Sequence, residues 1–354
     1  MSKKVSKGAI GELLSSTKNA IALWIQVIDC NGKKKQSQLS TQIKASKLEK
    51  PLDDLTKITT LMHAHGTKLG IVFKAPIPEE NYHACFKELE GCVKTLMLFM
   101  SLFKQLVNEE NKYSHLFIDE LTKAARSLLS AVQDLLAEME KELNNTESTN
   151  RKERLISVGK IWQACKNIDD DLGEGPSGII KKRLKETNRL IKDADQEYEE
   201  WLENPSTENY DNDLDDAFGI ESEKGDAEQT EQGDNVVEEG FLKYAKGKAA
   251  KLRMIRLLIV SLNKSIPSSR YNVRYARSID LLDSERVRLA AIVDDFVAAV
   301  VYDQDMEEAV KAGELLQKQA LKIAKLVSKL NEGNKLRTGW LETWQRKFTE
   351  EAPQ

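Results

Sequence analysis

Apolar residues recur at alternating steps of three and four positions through most of this chain. One such stripe, near the start, consists of Ile10, Leu14, Thr17, Ile21, Trp24 and Ile28. This spacing places the stripe on one face of an α-helix, where it can fill the interior of a helical bundle. Alternating runs bounded by hairpin turns, which would predict strands, do not occur in the sequence. The pattern therefore predicts an all-α protein.

Proline and glycine clusters divide the pattern into separate helices. Pro51, followed by Asp53 and Asp54, predicts a helix start, because proline in the first helical turn forfeits no hydrogen bond. The run Ala75-Pro76-Ile77-Pro78 ends that helix, and the glycine-rich stretch 173–178 predicts a corner between two later helices.

A strongly acidic segment, 203–240, interrupts the helical pattern in the middle of the chain. It holds 14 acidic side chains and one base, Lys224, with few apolar residues. Such a segment cannot bury enough surface to offset the entropy of ordering it, so we expect it to be disordered. The sequence therefore predicts two helical bundles of antiparallel helices joined by a disordered acidic linker, with an N-terminal bundle over 1–202 and a C-terminal helical domain over 241–354.

Charge is divided unevenly between the linker and the rest of the chain. The formal net charge of the chain is −4 and that of the segment is −13, so the remainder carries +9. The acidic segment either folds back to screen a basic face or simply stays extended and soluble.

The sequence indicates an intracellular protein. Its start, MSKKVSKGAI, lacks the apolar core of a signal peptide, and no stretch has the roughly 18 uncharged apolar residues of a membrane span. Four cysteines without CxxC spacing, in apolar helical context, predict reduced buried thiols: Cys30, Cys85, Cys92 and Cys165. We expect a cytoplasmic and nuclear location without membrane association.

A leucine heptad marks the predicted helix 111–143. Leu121, Leu128 and Leu135 lie seven residues apart, and an apolar residue follows four positions after each. The repeat predicts either a short zipper, and so a homodimer through a helix face, or the interior of a bundle. The register is lost at Glu142, which favours the bundle interior.

One basic stretch has the composition of a partner or anion contact. Arg270, Arg274 and Arg277 alternate with tyrosines, and Lys243 and Lys246 lie on the basic face of the preceding helix. Arginine and tyrosine together can bind phosphates and stack on bases. A solvated connector explains the same residues, so nucleic acid is not the expected partner.

Residue patterns typical of catalytic or metal sites are missing. His63 and His65 are two apart and hence on different faces of a helix, and no HExxH, Gly-x-Ser-x-Gly or phosphate-loop motif occurs. We therefore expect a non-enzymatic protein with no metal and no cofactor.

Several stretches resemble the family of Grap- and cyclin-D-interacting proteins, the cyclin-D-binding proteins. The resemblance rests on 55–78 with the long apolar helix that follows, on 155–165, on the acidic middle, and on 248–259 and 279–295. It implies an all-helical regulator that acts through a protein partner, a cyclin or another cell-cycle or transcription component. No binding residue of the family can be placed on a position of this chain.

The function that we expect from sequence is cell-cycle or transcription control through helical surfaces. The alternative is a cytoskeletal-linker-like bundle, of the vinculin or α-catenin type, that binds a partner helix or actin.

Overall fold

The computed structural model describes residues 5–29, 43–109, 112–144, 151–205, 237–266 and 275–350. Within these ranges all regular structure is helical: α1 (Lys7–Asp29), α2 (Pro51–Val72), a 3₁₀ turn (Glu79–Asn81), α3 (Tyr82–Asn108), α4 (His115–Asn144), α5 (Arg151–Leu172), α6 (Gly175–Glu203), α7 (Glu239–Ser265), α8 (Ala276–Val301), α9 (Met306–Leu330) and α10 (Lys335–Thr349). The all-α prediction is confirmed. The core of the predicted disordered linker, 206–236, lies outside the described residues.

Two compact units make up the chain. Unit 1 comprises Met1–Ile179 with Ser268–Ile279, and unit 2 comprises Ile180–Pro267 with Asp280–Gln354. The sequence-based boundary at residue 202 therefore differs from the division in the structure, which assigns nearly all of α6 to unit 2.

Buried contacts to α7 and α8 explain why α6 belongs to the second unit. The Tyr198 hydroxyl donates a hydrogen bond to the Ala245 carbonyl over 2.9 Å, and the Tyr198 ring stacks on Phe296 with centroids 5.7 Å apart. Near the start of α6, the Arg183 guanidinium lies 2.9 Å from the Asp283 carboxylate. The acidic composition that follows residue 203 marks a break in helical pattern, but the core of unit 2 already includes the helix before it.

The helices of unit 1 form a closed ring of neighbours in the order α1, α3, α2, α5, α4 and back to α1. Side-chain pairs give the directions around the ring. Lys18 contacts Glu140 and Arg126 contacts Asp29, so α1 and α4 are antiparallel. Two contacts for each pair show the same for α4–α5, α2–α5 and α2–α3, namely Ser157–Glu138 with Lys160–Asp134, Thr59–Asp169 with Thr67–Trp162, and His65–Glu88 with Val72–Cys85.

A ring of five helices cannot be antiparallel at every step, because an odd number of reversals does not return to the starting direction. The directions above leave α1 and α3 as the parallel pair. Four of the five seams of unit 1 are antiparallel, as predicted, and the seam between α1 and α3 is parallel.

The α2–α5 seam is closely packed because two glycines of α2 face apolar side chains of α5. A methyl group built on Gly70 would lie 2.7 Å from a Val158 methyl carbon, and one on Gly66 would lie 3.1 Å from an Ile161 methyl carbon. The close approach brings Trp162 of α5 against α2, where its indole N–H donates to the Thr67 hydroxyl over 3.0 Å.

The leucine heptad faces the interior of unit 1. Leu121, Leu128 and Leu135 are each 0% exposed, which confirms the bundle-interior interpretation of the repeat. Glu142, where the register is lost, is also buried and accepts a hydrogen bond from the Ala75 backbone N–H over 3.2 Å. The described cysteines are free and buried, as predicted, namely Cys85, Cys92 and Cys165; Cys30 lies outside the described residues.

Unit 2 packs α7, α9 and α10 against one another and α6 and α8 alongside. The Asp305 side chain caps α9 by accepting from the backbone N–H groups of Glu307 and Glu308. The Trp344 indole N–H of α10 donates to the Met254 carbonyl of α7 over 2.8 Å. None of the described helices combines the length and apolar character that a membrane crossing requires.

Candidate functional site: an apolar groove between α1 and α3

The basic residues predicted as a partner contact are distributed over both units and partly lie outside the described residues. Arg270 and Arg274 lie outside the described residues. Arg277 is exposed at the start of α8 in the part assigned to unit 1, whereas Lys243 and Lys246 are exposed on α7 in unit 2. The contact of these residues with a partner stays a prediction.

Other bases of α7 make contacts within unit 2. The Lys248 ammonium lies 4.8 Å from the centre of the Tyr244 ring, and that of Lys251 lies 5.8 Å from the centre of the Phe348 ring. Arg253 pairs with Glu199 of α6, and Arg256 lies 3.7 Å from the Asp195 carboxylate. Part of the basic face seen in the sequence therefore stabilises the packing of α7.

An apolar groove lies at the parallel seam of unit 1. Its volume is about 360 Å³, and its walls come from α1, from α3 and from the start of the segment before α2. The lining residues are Ala20, Leu23, Trp24, Val27, Ile43, Lys44, Met97, Met100 and Ser101. Lys44 is the one charged residue among them.

The groove has a buried floor and an exposed apolar edge. Met100 is 1% exposed, whereas Leu23 is 43% exposed and Met97 is 57% exposed. The neighbouring Leu98 is also 57% exposed. Large apolar side chains that remain exposed together, rather than singly, mark surfaces that proteins use to bind partners.

A hydrogen-bonded anchor fixes the third wall to α3. Gln105 is 3% exposed; its amide nitrogen donates to the Leu48 carbonyl over 2.8 Å, and its amide oxygen accepts from the Leu48 N–H over 2.9 Å and from the Ser46 hydroxyl over 2.6 Å. The Ser101 hydroxyl donates to the Lys44 carbonyl over 2.7 Å. Segment 43–48 is therefore held against α3.

Sequence reasoning missed this groove, although a signal was present. Residues 93–100 are apolar nearly all round, which predicts a central helix. In the structure α3 packs against α1 and α2, but its Met97 and Leu98 side chains remain exposed. A buried glutamine in the same helix, Gln105, is the second signal, because a buried amide requires nearby polar partners.

Lys44 is the only titratable side chain among the described residues that line the groove. Among the described residues, no three or more His, Cys, Asp or Glu side chains come close enough together to hold a metal ion. The thiols of Cys92 and Cys165 lie elsewhere in the core of unit 1, where burial raises the pKa of each to about 12. A thiol with so high a pKa is a poor nucleophile.

Comparison with known proteins gives one family and two fungal relatives. An uncharacterized protein of Saccharomyces cerevisiae is 29% identical over 308 residues, which cover 85% of this chain and 86% of the relative. An uncharacterized protein of Schizosaccharomyces pombe is 23% identical over 296 residues, or 83% of this chain and 82% of the relative. The family model described as Grap2 and cyclin-D-interacting, N-terminal, matches residues 54–204.

The matched stretch includes the α3 wall of the groove but begins after the α1 wall and after segment 43–48. It ends with α6. The family model thus confirms, over residues 54–204, the family resemblance drawn from the sequence; these residues are similar to the N-terminal region of the Grap2 and cyclin-D-interacting family.

Proposed function

We propose that this chain is a non-enzymatic regulator that binds other proteins and that takes an apolar helical segment of its partner into the groove between α1 and α3. The observation that carries the proposal is the groove itself, with Leu23 and Met97 exposed along the seam between α1 and α3. The family description, cyclin-D-interacting, supports a role in protein interaction. Cell-cycle or transcription control in the cytoplasm and nucleus is the finer part of the proposal.

The dimensions and the lining favour a helix as the occupant. The α1 wall runs from Ala20 to Val27, about two helical turns. An amphipathic helix buries side chains three and four positions apart in such a groove. Two methionines in the lining, Met97 and Met100, can adjust their rotamers to different apolar side chains.

The test compares partner capture by the full chain with capture by groove variants. Leu23→Lys and Met97→Lys each place a charge in the apolar edge without disturbing a buried side chain. Leu336→Lys is the matched control, because Leu336 is 88% exposed on α10 of unit 2. Each protein is used to recover partners from native cell extract, which are quantified by mass spectrometry.

We expect the wild-type chain and the Leu336 variant to recover the same proteins, including a cyclin, a kinase or a transcription component. Both groove variants should lose them. Equal recovery by all four proteins would contradict the groove as the binding site, and recovery without any cell-cycle or transcription protein would contradict the regulatory role.

The cytoskeletal-linker alternative draws on the same observation, since a helical bundle with an open seam can accept a linker's partner helix. Co-sedimentation with filamentous actin separates the two functions. Pelleting that persists at physiological salt and that Met97→Lys abolishes would favour the linker function over the regulatory one.

A further inference from the structure

We infer that the occupant of the groove is an acidic amphipathic helix supplied by another protein, an assignment that rests on the proposed function. Charge complementarity between the partner and the surroundings of the groove supports this assignment. It specifies which residues the partner helix must carry.

Among the described residues, the groove is lined by one base, Lys44, and by no acid. Three further lysines flank it, Lys47 beside the segment before α2 and Lys94 and Lys104 on α3, against two acids, Glu49 and Glu90. The formal charge of the groove and these flanking residues is therefore +2.

Charged side chains of α1 that flank the groove point to the other seam of that helix. The Lys18 ammonium lies 2.6 Å from the Glu140 carboxylate of α4. The Asp29 carboxylate lies 2.7 Å from the Arg126 guanidinium, also of α4. The acid nearest the end of the α1 wall, Asp29, is therefore engaged away from the groove.

The lysines of α3 border the exposed apolar edge. Lys94 lies one helical turn before Met97, and Lys104 lies one turn after Ser101. Each lysine is therefore on the same face of α3 as the groove residue one turn away. Lys94 is paired with Glu90 over 3.0 Å, but its side chain is 66% exposed. Surface pairs of this kind exchange readily with solvent and with other anions.

The partner follows from this arrangement. Two or three large apolar side chains, three or four positions apart, would fill the groove, and Asp or Glu on both flanks would face the lysines. A basic amphipathic helix of the same apolar pattern would be repelled, which gives the groove specificity as well as affinity.

Two labelled peptides test the assignment against the full chain by fluorescence polarisation. Each is about 15 residues long, so that it can be helical, and carries leucine at every third or fourth position. The remaining positions are glutamate in one peptide and lysine in the other. We expect the acidic peptide to bind at least about tenfold more tightly than the basic one, with an affinity that falls as salt is added.

Charge variants locate the effect. Lys44→Glu and Lys94→Glu should each weaken the acidic peptide about tenfold, since each reverses one charge beside the groove. Lys123→Glu is the matched control, because Lys123 is equally exposed on α4 and distant in sequence from all three walls. Leu23→Ser and Met97→Ser should weaken binding through lost apolar contact.

Three results would overturn the assignment. They are a failure of the acidic peptide to bind, equal binding of the two peptides, and tighter binding after deletion of 206–236, which would make the chain's own acidic segment the occupant. If the two peptides bind equally while Met97→Lys still abolishes partner capture, the proposed function stands and only the partner chemistry is wrong. If Met97→Lys leaves capture intact, the proposed function itself fails.

Discussion

The closeness of α2 and α5 makes a quantitative prediction about two glycines. Alanine at position 70 would place its methyl carbon 2.7 Å from a methyl carbon of Val158, a separation that packed carbon atoms do not adopt. Val158 is 4% exposed and is β-branched, so within a helix it has essentially one χ1 rotamer and cannot turn away. Relief requires the two helices to move apart.

Gly159 provides the matched control. It lies in α5 next to Val158, and a methyl group built on it meets no atom within 4 Å. Both Gly→Ala changes gain about 1 kcal/mol of helix propensity. Overpacking costs about 1–3 kcal/mol and applies to Gly70→Ala alone. The two variants should therefore differ by about 1–3 kcal/mol in free energy of unfolding, with Gly70→Ala the less stable.

Urea denaturation of the full chain, followed by circular dichroism, measures this difference. Val158→Ala in the Gly70→Ala background removes the clashing methyl groups, so the double variant should be more stable than the sum of the single changes predicts. Agreement of the two single variants to within about 0.5 kcal/mol would refute the close approach of α2 and α5, as would strict additivity in the double variant.

Three further predictions concern buried polar groups. First, the thiols of Cys85, Cys92 and Cys165 should resist alkylation in the folded chain at pH 8 and react on unfolding, because burial raises the pKa of the three to about 11, 12 and 12; mass spectrometry after a timed reaction checks this. An unfolded thiol loses its proton at a lower pH than these buried thiols do, so the free energy of unfolding should also fall as pH rises beyond about 9. Second, Gln105→Leu should cost about 2 kcal/mol by orphaning the Leu48 backbone groups and should speed amide hydrogen exchange at Leu48, while the exposed Gln163→Leu should do neither. Third, Asp195→Asn should leave stability at pH 7 equal or higher, because burial raises the pKa of Asp195, an effect reinforced by Glu199 and only partly offset by Arg253 and Arg256. The gain in stability should vanish in urea melts near pH 3, where the aspartate of the wild type is protonated. A loss of stability at pH 7 would show that the pairing with Arg256 outweighs desolvation.

The candidate site was less accessible to sequence reasoning than the helices were. Exposed Met97 and buried Met100 belong to one apolar run of α3, and helical periodicity alone does not say which of them a neighbouring helix will cover. The expected contacts Lys243 and Lys246 were identifiable as exposed, because they lie opposite the apolar stripe of α7. Whether exposed basic side chains form a binding site depends on which residues from other parts of the chain lie beside them. The apolar pattern of one helix carries no information about those residues.

By itself, the sequence determined the all-α class, the start and the end of α2 and the inward orientation of the α4 heptad, because these depend on spacing and turn residues within one element. Only the tertiary structure decided that α6 joins the second unit and that the five helices of unit 1 close into a ring. Those features depend on contacts such as Tyr198 with Ala245, which join residues far apart in the chain. The odd number of helices in the ring then made one seam parallel, and the groove lies at that seam.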